Sequence, residues 1–238
     1  MMMQKNGMRY SSLLTLPGLV HGYSTRAYGD ARISANADAI IRNLTDKPLP
    51  LLHAAQVHGN AVGFADSETS GVVPAVDGLV TATDNILLEV HVADCVPMLF
   101  FDPVARIVAA VHAGWKGTIA HIAKNAVARM SESGATPKNI LVSIGPHIGG
   151  CCYTVPEERA RQFLSVFTAS PVAVMENGAW HLDIGQANRA DLLDAGVAAE
   201  HIDTPVVCTS CQVDTFYSFR RDSRETFGEI TGVIGLVA

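Results

Sequence analysis

The densest apolar patterning of the chain lies between Ile86 and Val111, and its polar residues fall at regular places. From Ile86 to Ala93, Leu88, Val90 and Val92 share one face of an extended chain while Glu89 and His91 share the other, which predicts a strand ending just before Cys95. Met98 to Phe101 and Arg106 to Val111 are separated by the turn-forming Asp102-Pro103 and predict neighbouring strands, with His112 at a strand end. After Gly114 the period changes. Ile119, Ile122, Ala123, Ala126 and Met130 recur at three- and four-residue spacing and Gly134 follows, predicting one helix. Asn139 to Ile144 predicts another strand, and Thr154 with Glu157 three residues on predicts the start of a helix running to about Phe167. Ile184 to Ala195 predicts a less regular helix, and Val206 to Cys208 and Thr231 to Val237 predict closing strands. Strands and helices mixed in this way predict a layered α/β (α+β-like) fold. With no repeat and no long linker, residues 1–238 are expected to form a single domain.

Composition narrows the classes of function. A chain of 238 residues with 48% hydrophobic and 17% charged residues can fill a core without staples. Its formal net charge of -6 argues against a nucleic-acid backbone or an anionic membrane as partner. Ile86 to Phe101 is too short to span a bilayer and contains Glu89, His91 and Asp94. The opening segment, Met1 to Gly22, is interrupted by Pro17-Gly18 and shows no cleavage pattern, so no signal peptide is expected. Five cysteines form an odd set, which predicts reduced thiols and a cytoplasmic location over a disulfide framework.

His58, Cys95 and His112 each stand at a predicted strand end beside a turn, so three residues distant in sequence can converge. Two imidazoles and a thiolate suit zinc, and three protein ligands leave a fourth position open, the arrangement of a catalytic site. Spacings this long carry little information by themselves. Cys208-Thr209-Ser210-Cys211 has the spacing of structural zinc and redox pairs, but the upstream elements of the nucleobase deaminase signature are missing, and buried inert thiols are the expected role. Cys151 and Cys152 are expected to point to opposite sides of an extended segment and not to ligate a metal jointly. Gly145-Pro146-His147-Ile148-Gly149-Gly150 is a turn whose amides could approach a ligand, though it lacks the ending of a P-loop. Arg26, Arg220 and Arg221 are candidates for gripping an anion, and Trp115 for stacking on a base or filling the core.

The ordered landmarks His21-Gly22-Tyr23-Ser24-Thr25-Arg26, Gln56-Val57-His58-Gly59, Asp77-Gly78-Leu79-Val80-Thr81, Ala93-Asp94-Cys95-Val96-Pro97, His112-Ala113-Gly114-Trp115-Lys116-Gly117, Gly145-Pro146-His147-Ile148-Gly149 and Tyr217-Ser218-Phe219-Arg220-Arg221-Asp222 run through most of the chain. In them the chain resembles the laccase-domain proteins, once called multicopper polyphenol oxidoreductases and now regarded as purine nucleoside phosphorylases with adenosine deaminase side activity. The resemblance implies a central mixed sheet flanked by helices, similar to toxin cysteine-hydrolase domains. It also implies His58, Cys95 and His112 as ligands of zinc, copper having been proposed too.

On that footing the expected substrates are a purine nucleoside (adenosine, inosine or methylthioadenosine) and phosphate. Arg26 is then the candidate for positioning phosphate, and Asp94 the candidate proton carrier, with turn capping as its alternative role. Three other readings compete. Cys95 activated by His112 could serve a metal-free thiol hydrolase, including an editing enzyme of cell-wall precursors. A copper polyphenol oxidase would need many more histidine ligands than three. A non-catalytic metal-binding protein would hold the ion without turnover.

Overall fold

In the computed structural model, residues 2–204, 207–222 and 225–237 are described. Two large mixed sheets carry the fold. The first has seven strands in the order Met2–Lys5, Met8–Ser11, Leu19–Tyr23, Ile230–Leu236, Ile86–Val92, Leu51–Ala54 and Val72–Val73. The second has six, in the order Ile202–Asp203, Leu141–Ile144, Val96–Asp102, Ile107–Ala113, Gly78–Thr81 and Val62–Phe64. A small antiparallel sheet of Thr154–Val155, Ala179–Leu182 and Ala173–Glu176 stands apart from both. The mixed α/β class expected from the sequence is thus present, with its strands divided over more than one sheet.

The alternation of side chains explains the layering. In Val96–Asp102, Leu99 and Phe101 join Leu88, Val90 and Ile234 of the first sheet in one core cluster. Val96, Met98 and Phe100 point the other way, into a cluster with Ile122, Ala126, Phe163 and Leu192 from the helices. Strand Ile107–Ala113 is buried along its whole length because both of its faces are covered, so its sequence is apolar without alternation from Ile107 to Val111 and polar only at His112. The predicted Asp102 turn holds: the Asp102 carboxylate accepts from the Val104, Ala105 and Thr136 amides at 2.8 to 3.0 Å, and the strands on either side pair antiparallel.

Several boundaries differ from the sequence reading. The single helix predicted after Gly114 is two, Trp115–Ile119 and Ile122–Glu132, broken where His121 adopts φ 62° and turns its imidazole to Asp191 at 2.9 Å. Thr154 does not cap a helix. It lies in a short strand paired with His181, and Pro156 takes the cap position before Glu157–Val166. Of the predicted strand Val206 to Cys208, Val206 lies outside the described residues, and Cys208 makes only an isolated bridge to His147. Ile184–Asp194 is helical, as predicted, and the Asp183 side chain caps it by accepting from the Gln186 amide.

Candidate active site

The bend between strands Ile86–Val92 and Val96–Asp102 carries Asp94 and Cys95. Strand Ile107–Ala113 presents His112 at its penultimate position, and the loop after Leu51–Ala54 presents His58. The sulfur of Cys95 and the ring nitrogens of His58 and His112 all lie within 4.8 Å of one another, so the three residues named from the sequence do converge. Left-handed backbone makes this possible: Gln56, His58 and Asp94 have φ of 47°, 59° and 81°. Such angles are costly for residues with a Cβ and persist only where surroundings enforce them. Here Gln56 exchanges two 2.7 Å hydrogen bonds with the backbone of His91, and the Asp94 carbonyl accepts from the Ile148 amide.

Asp77, to which the sequence reading assigned no role, organises both histidines. Its wholly buried carboxylate accepts from the His58 and Gly59 amides at 2.8 and 2.7 Å and from His112 Nδ1 at 2.9 Å. The last bond leaves His112 Nε2 for the cluster, the usual way a ligand imidazole is oriented. Burial would raise the Asp77 carboxyl, but the His112 side chain and the two amides more than offset it and hold it below the ordinary carboxylate value.

The same balance acts on the cluster. Burial alone would push the Cys95 thiol up, yet His112 and His58 bring it down to about 7. Burial would lower His112, yet Cys95 and Asp77 raise it to about 9. A cationic partner beside Cys95 is therefore favoured, and the donor set of two imidazoles and one thiolate fits zinc. The backbone of Gly114 closes one side. A Cβ there would stand 3.1 Å from His58 Cδ2 and 3.3 Å from Cys95 Sγ, so any larger residue would press on both side chains and shift them by a few tenths of an ångström. His58 is exposed and His112 buried, which puts the open side of the cluster toward His58.

Above the cluster lies a cavity of about 500 Å³. Its walls are apolar at Trp115, Ile148, Tyr153, Ile184 and Phe219 and polar at Gln56, His91 and Glu229. Two arginines reach it: Arg220, with its guanidinium 4.9 Å from the Tyr153 ring centre, and Arg159, 4.0 Å from that of Trp115. Arg159 escaped the sequence reading because nothing distinguishes it from the other charged residues of its helix. Trp115 supports Arg159 at the cavity wall.

Asp94 lines the cavity, but both of its oxygens are engaged. They accept from Thr209 Oγ1, Ser218 Oγ and the Arg220 amide at 2.6, 3.0 and 2.7 Å. This is a carboxylate that ties loops together, the capping role. Arg26 is not among the cavity-lining residues. Its guanidinium lies over the Tyr217 ring at 4.4 Å and pairs with Asp222 at 3.4 Å. Arg221 is likewise occupied by Asp222 and by the carbonyls of Thr209, Ser210 and Phe216. In the loop from Gly145 to Gly150, glycine at 145 makes room for the Tyr23 ring, which a Cβ would strike, and the Gly149 amide donates to Cys208 Sγ.

Cys151 and Cys152 do not point to opposite sides of an extended segment as expected. They sit in a turn closed by hydrogen bonds from the Cys152 and Tyr153 amides to the Gly149 carbonyl, so the alternation of an extended chain does not apply. Their sulfurs are 3.8 Å apart and meet those of Cys208 and Cys211 within 4.8 Å.

Residues 24–237 match the family described as multi-copper polyphenol oxidoreductase laccase. Purine nucleoside phosphorylase YlmD of Bacillus subtilis is 33% identical over 87% of this chain and 78% of its own length. Adenosine deaminase RL5, from an unknown prokaryotic organism, is 37% identical over 70% of this chain and 64% of its own. The crystal structure of YlmD from Geobacillus stearothermophilus superposes with a TM-score of 0.88 and 31% identity, covering 100% of this chain and 99% of the other. The two relatives' names are those of enzymes that process purine nucleosides. Fold, ordered landmarks and matched length agree, and the chain belongs to the multi-copper polyphenol oxidoreductase laccase family.

Proposed function

We propose that the chain is a cytoplasmic, zinc-dependent purine nucleoside phosphorylase acting on adenosine, inosine and methylthioadenosine, with adenosine deaminase activity besides. The observation that carries this reading is the convergence of His58, Cys95 and His112 beneath an apolar-walled cavity into which two arginines project. A volume of about 500 Å³ accepts a nucleoside and an inorganic phosphate together. Bound at these three ligands, zinc would supply Lewis acidity at the cavity floor.

The chain's own residues do the rest. Tyr153, Ile148 and Phe219 offer flat and apolar surface to the base, and Glu229 and His91 offer polar groups to the ribose. Arg220 and Arg159 replace Arg26 as the residues that hold phosphate, because they reach the cavity and Arg26 does not. Phosphorolysis then joins a phosphate oxygen to the anomeric carbon as the glycosidic C–N bond breaks. The base leaves with a proton and the sugar leaves as ribose phosphate. In deamination, water adds at the amino-bearing carbon of adenosine and ammonia departs.

A copper oxidase fits less well. Among the described residues two groups of three or more side chains could hold a metal, one with two histidines and the other with none. The test is to incubate the zinc-loaded chain with adenosine, inosine and methylthioadenosine, with and without phosphate. Phosphate-dependent release of base and ribose phosphate is expected, together with inosine from adenosine. No product under any condition overturns the proposal, and full activity after complete chelation would assign the chemistry to a Cys95 thiol.

A further inference from the structure

We propose that Cys151, Cys152, Cys208 and Cys211 form a second metal site, a closed four-thiolate centre for a single zinc ion that locks one wall of the substrate cavity. The sulfur geometry carries it. Cys151 and Cys152 Sγ lie 3.8 Å apart, Cys151 and Cys211 3.7 Å, and Cys152 and Cys211 3.4 Å. Zinc–sulfur bonds of about 2.3 Å in a tetrahedron require edges of about 3.8 Å. The fourth sulfur, that of Cys208, lies within 4.8 Å of the other three. A polynuclear iron–sulfur cluster would have to fit its own irons and sulfides between the cysteines, which this spacing does not allow. A disulfide selects two sulfurs and leaves the others aside, whereas Cys211 is almost equidistant from Cys151 and Cys152.

The surroundings suit a thiolate centre. The Gly149 amide donates to Cys208 Sγ at 3.3 Å, and the Arg221 guanidinium binds the Thr209 and Ser210 carbonyls inside the Cys208–Cys211 turn. The first supplies a hydrogen bond to an assembly that four thiolates leave anionic, and the second braces the turn that carries Cys208 and Cys211. Cys151 and Cys211 are exposed and Cys208 is buried, so an ion can enter from solvent and be held from within.

Position gives the centre its consequence. Ile148 and Tyr153, on either side of the first cysteine pair, line the cavity, and Thr209, between the second pair, holds Asp94. An ion bridging the two turns would fix that wall without touching substrate. Four protein ligands leave no open position, so the site is structural.

Metal analysis needs no turnover and is therefore independent of the reaction proposed above. Full-length chain purified anaerobically in the presence of zinc should contain about two zinc ions, falling to about one in Cys208→Ser and in Cys151→Ser and to about one, by loss of the other ion, in His112→Ala. Cobalt substitution of the unmutated chain should add the sulfur-to-cobalt charge-transfer absorption of a four-thiolate site, and His112→Ala should retain it; this measurement stands even if a cysteine variant fails to fold. The proposal is overturned if the unmutated chain binds a single zinc that His112→Ala abolishes. It also fails if Cys151→Ser and Cys208→Ser keep the full zinc content, or if the anaerobic chain shows a disulfide among these four cysteines by mass spectrometry.

Discussion

The two clusters of side chains that could hold a metal ion in this protein are built in opposite ways. His58, Cys95 and His112 come from three separated parts of the chain and are brought together by sheet topology and by the buried carboxylate of Asp77. Cys151, Cys152, Cys208 and Cys211 come from two tight turns, each supplying a pair. The first cluster offers three donor atoms and has one side open to a cavity. The second has four and lies behind the cavity wall. The contrast separates reactivity from rigidity: a site with an unfilled position can meet a substrate, while a filled one can only hold protein together.

Removing a ligand from each cluster should therefore give different failures. His58→Ala takes away the exposed ligand of the triad and one of the two imidazoles that favour the Cys95 thiolate, and kcat should fall at least about 100-fold with little change in unfolding temperature beyond the loss of a bound ion. Cys208→Ser should act mainly on stability, lowering Tm by about 10 °C for a loss of several kcal/mol. Calorimetry and steady-state kinetics on both variants measure the difference. If Cys208→Ser abolished turnover at a temperature where it stays folded, the division of labour would be wrong.

A smaller effect is expected one layer out from the triad. Asp77→Asn keeps the shape but offers one acceptor oxygen where the carboxylate serves three N–H donors. Zinc affinity at the triad and activity should each drop about 10- to 100-fold, while the four-cysteine centre keeps its ion. Competition with a chelator of known affinity reads the first, and cobalt absorption reads the second. An unchanged triad affinity would mean that sheet topology alone sets the histidines.

How much of this was legible depends on what kind of regularity each feature leaves in sequence. The strands around Ile86 to Val111 were readable because their apolar runs are dense and bounded by a proline turn. Leu19–Tyr23 and Leu51–Ala54 were not, since short strands that mix His, Gly and Tyr with aliphatics lack a clear period. The break at His121 was invisible because both helices keep apolar residues in phase across it. For the triad, residue type and strand-end placement suggested convergence, and the family landmarks singled out the three. Asp77 was missed because a buried carboxylate leaves no pattern beyond its own letter. The joint cluster of Cys151 and Cys152 was missed for a different reason: alternation was assumed where the chain in fact turns at Gly149.

The smallest expected effect concerns the residue proposed to hold phosphate: of the three arginines that the sequence offers for an anion it favours Arg26, whereas Arg220 is the one that lines the cavity. Arg220 reaches the cavity, and its Nη1 donates to the Thr154 carbonyl at 2.9 Å, leaving other donors of the guanidinium for an anion. Arg220→Lys keeps the charge but loses the planar fork, so KM for phosphate should rise about tenfold, equivalent to ~1.4 kcal/mol, with a smaller change in KM for the nucleoside. Arg26→Lys should leave KM for phosphate within about twofold, because its partners are Asp222, the Tyr217 ring and two carbonyls outside the cavity. Varying phosphate at saturating inosine measures both. A larger effect from Arg26 than from Arg220 would return the anion to the residue first singled out in the sequence and shift the reactive end of the cavity toward Tyr217.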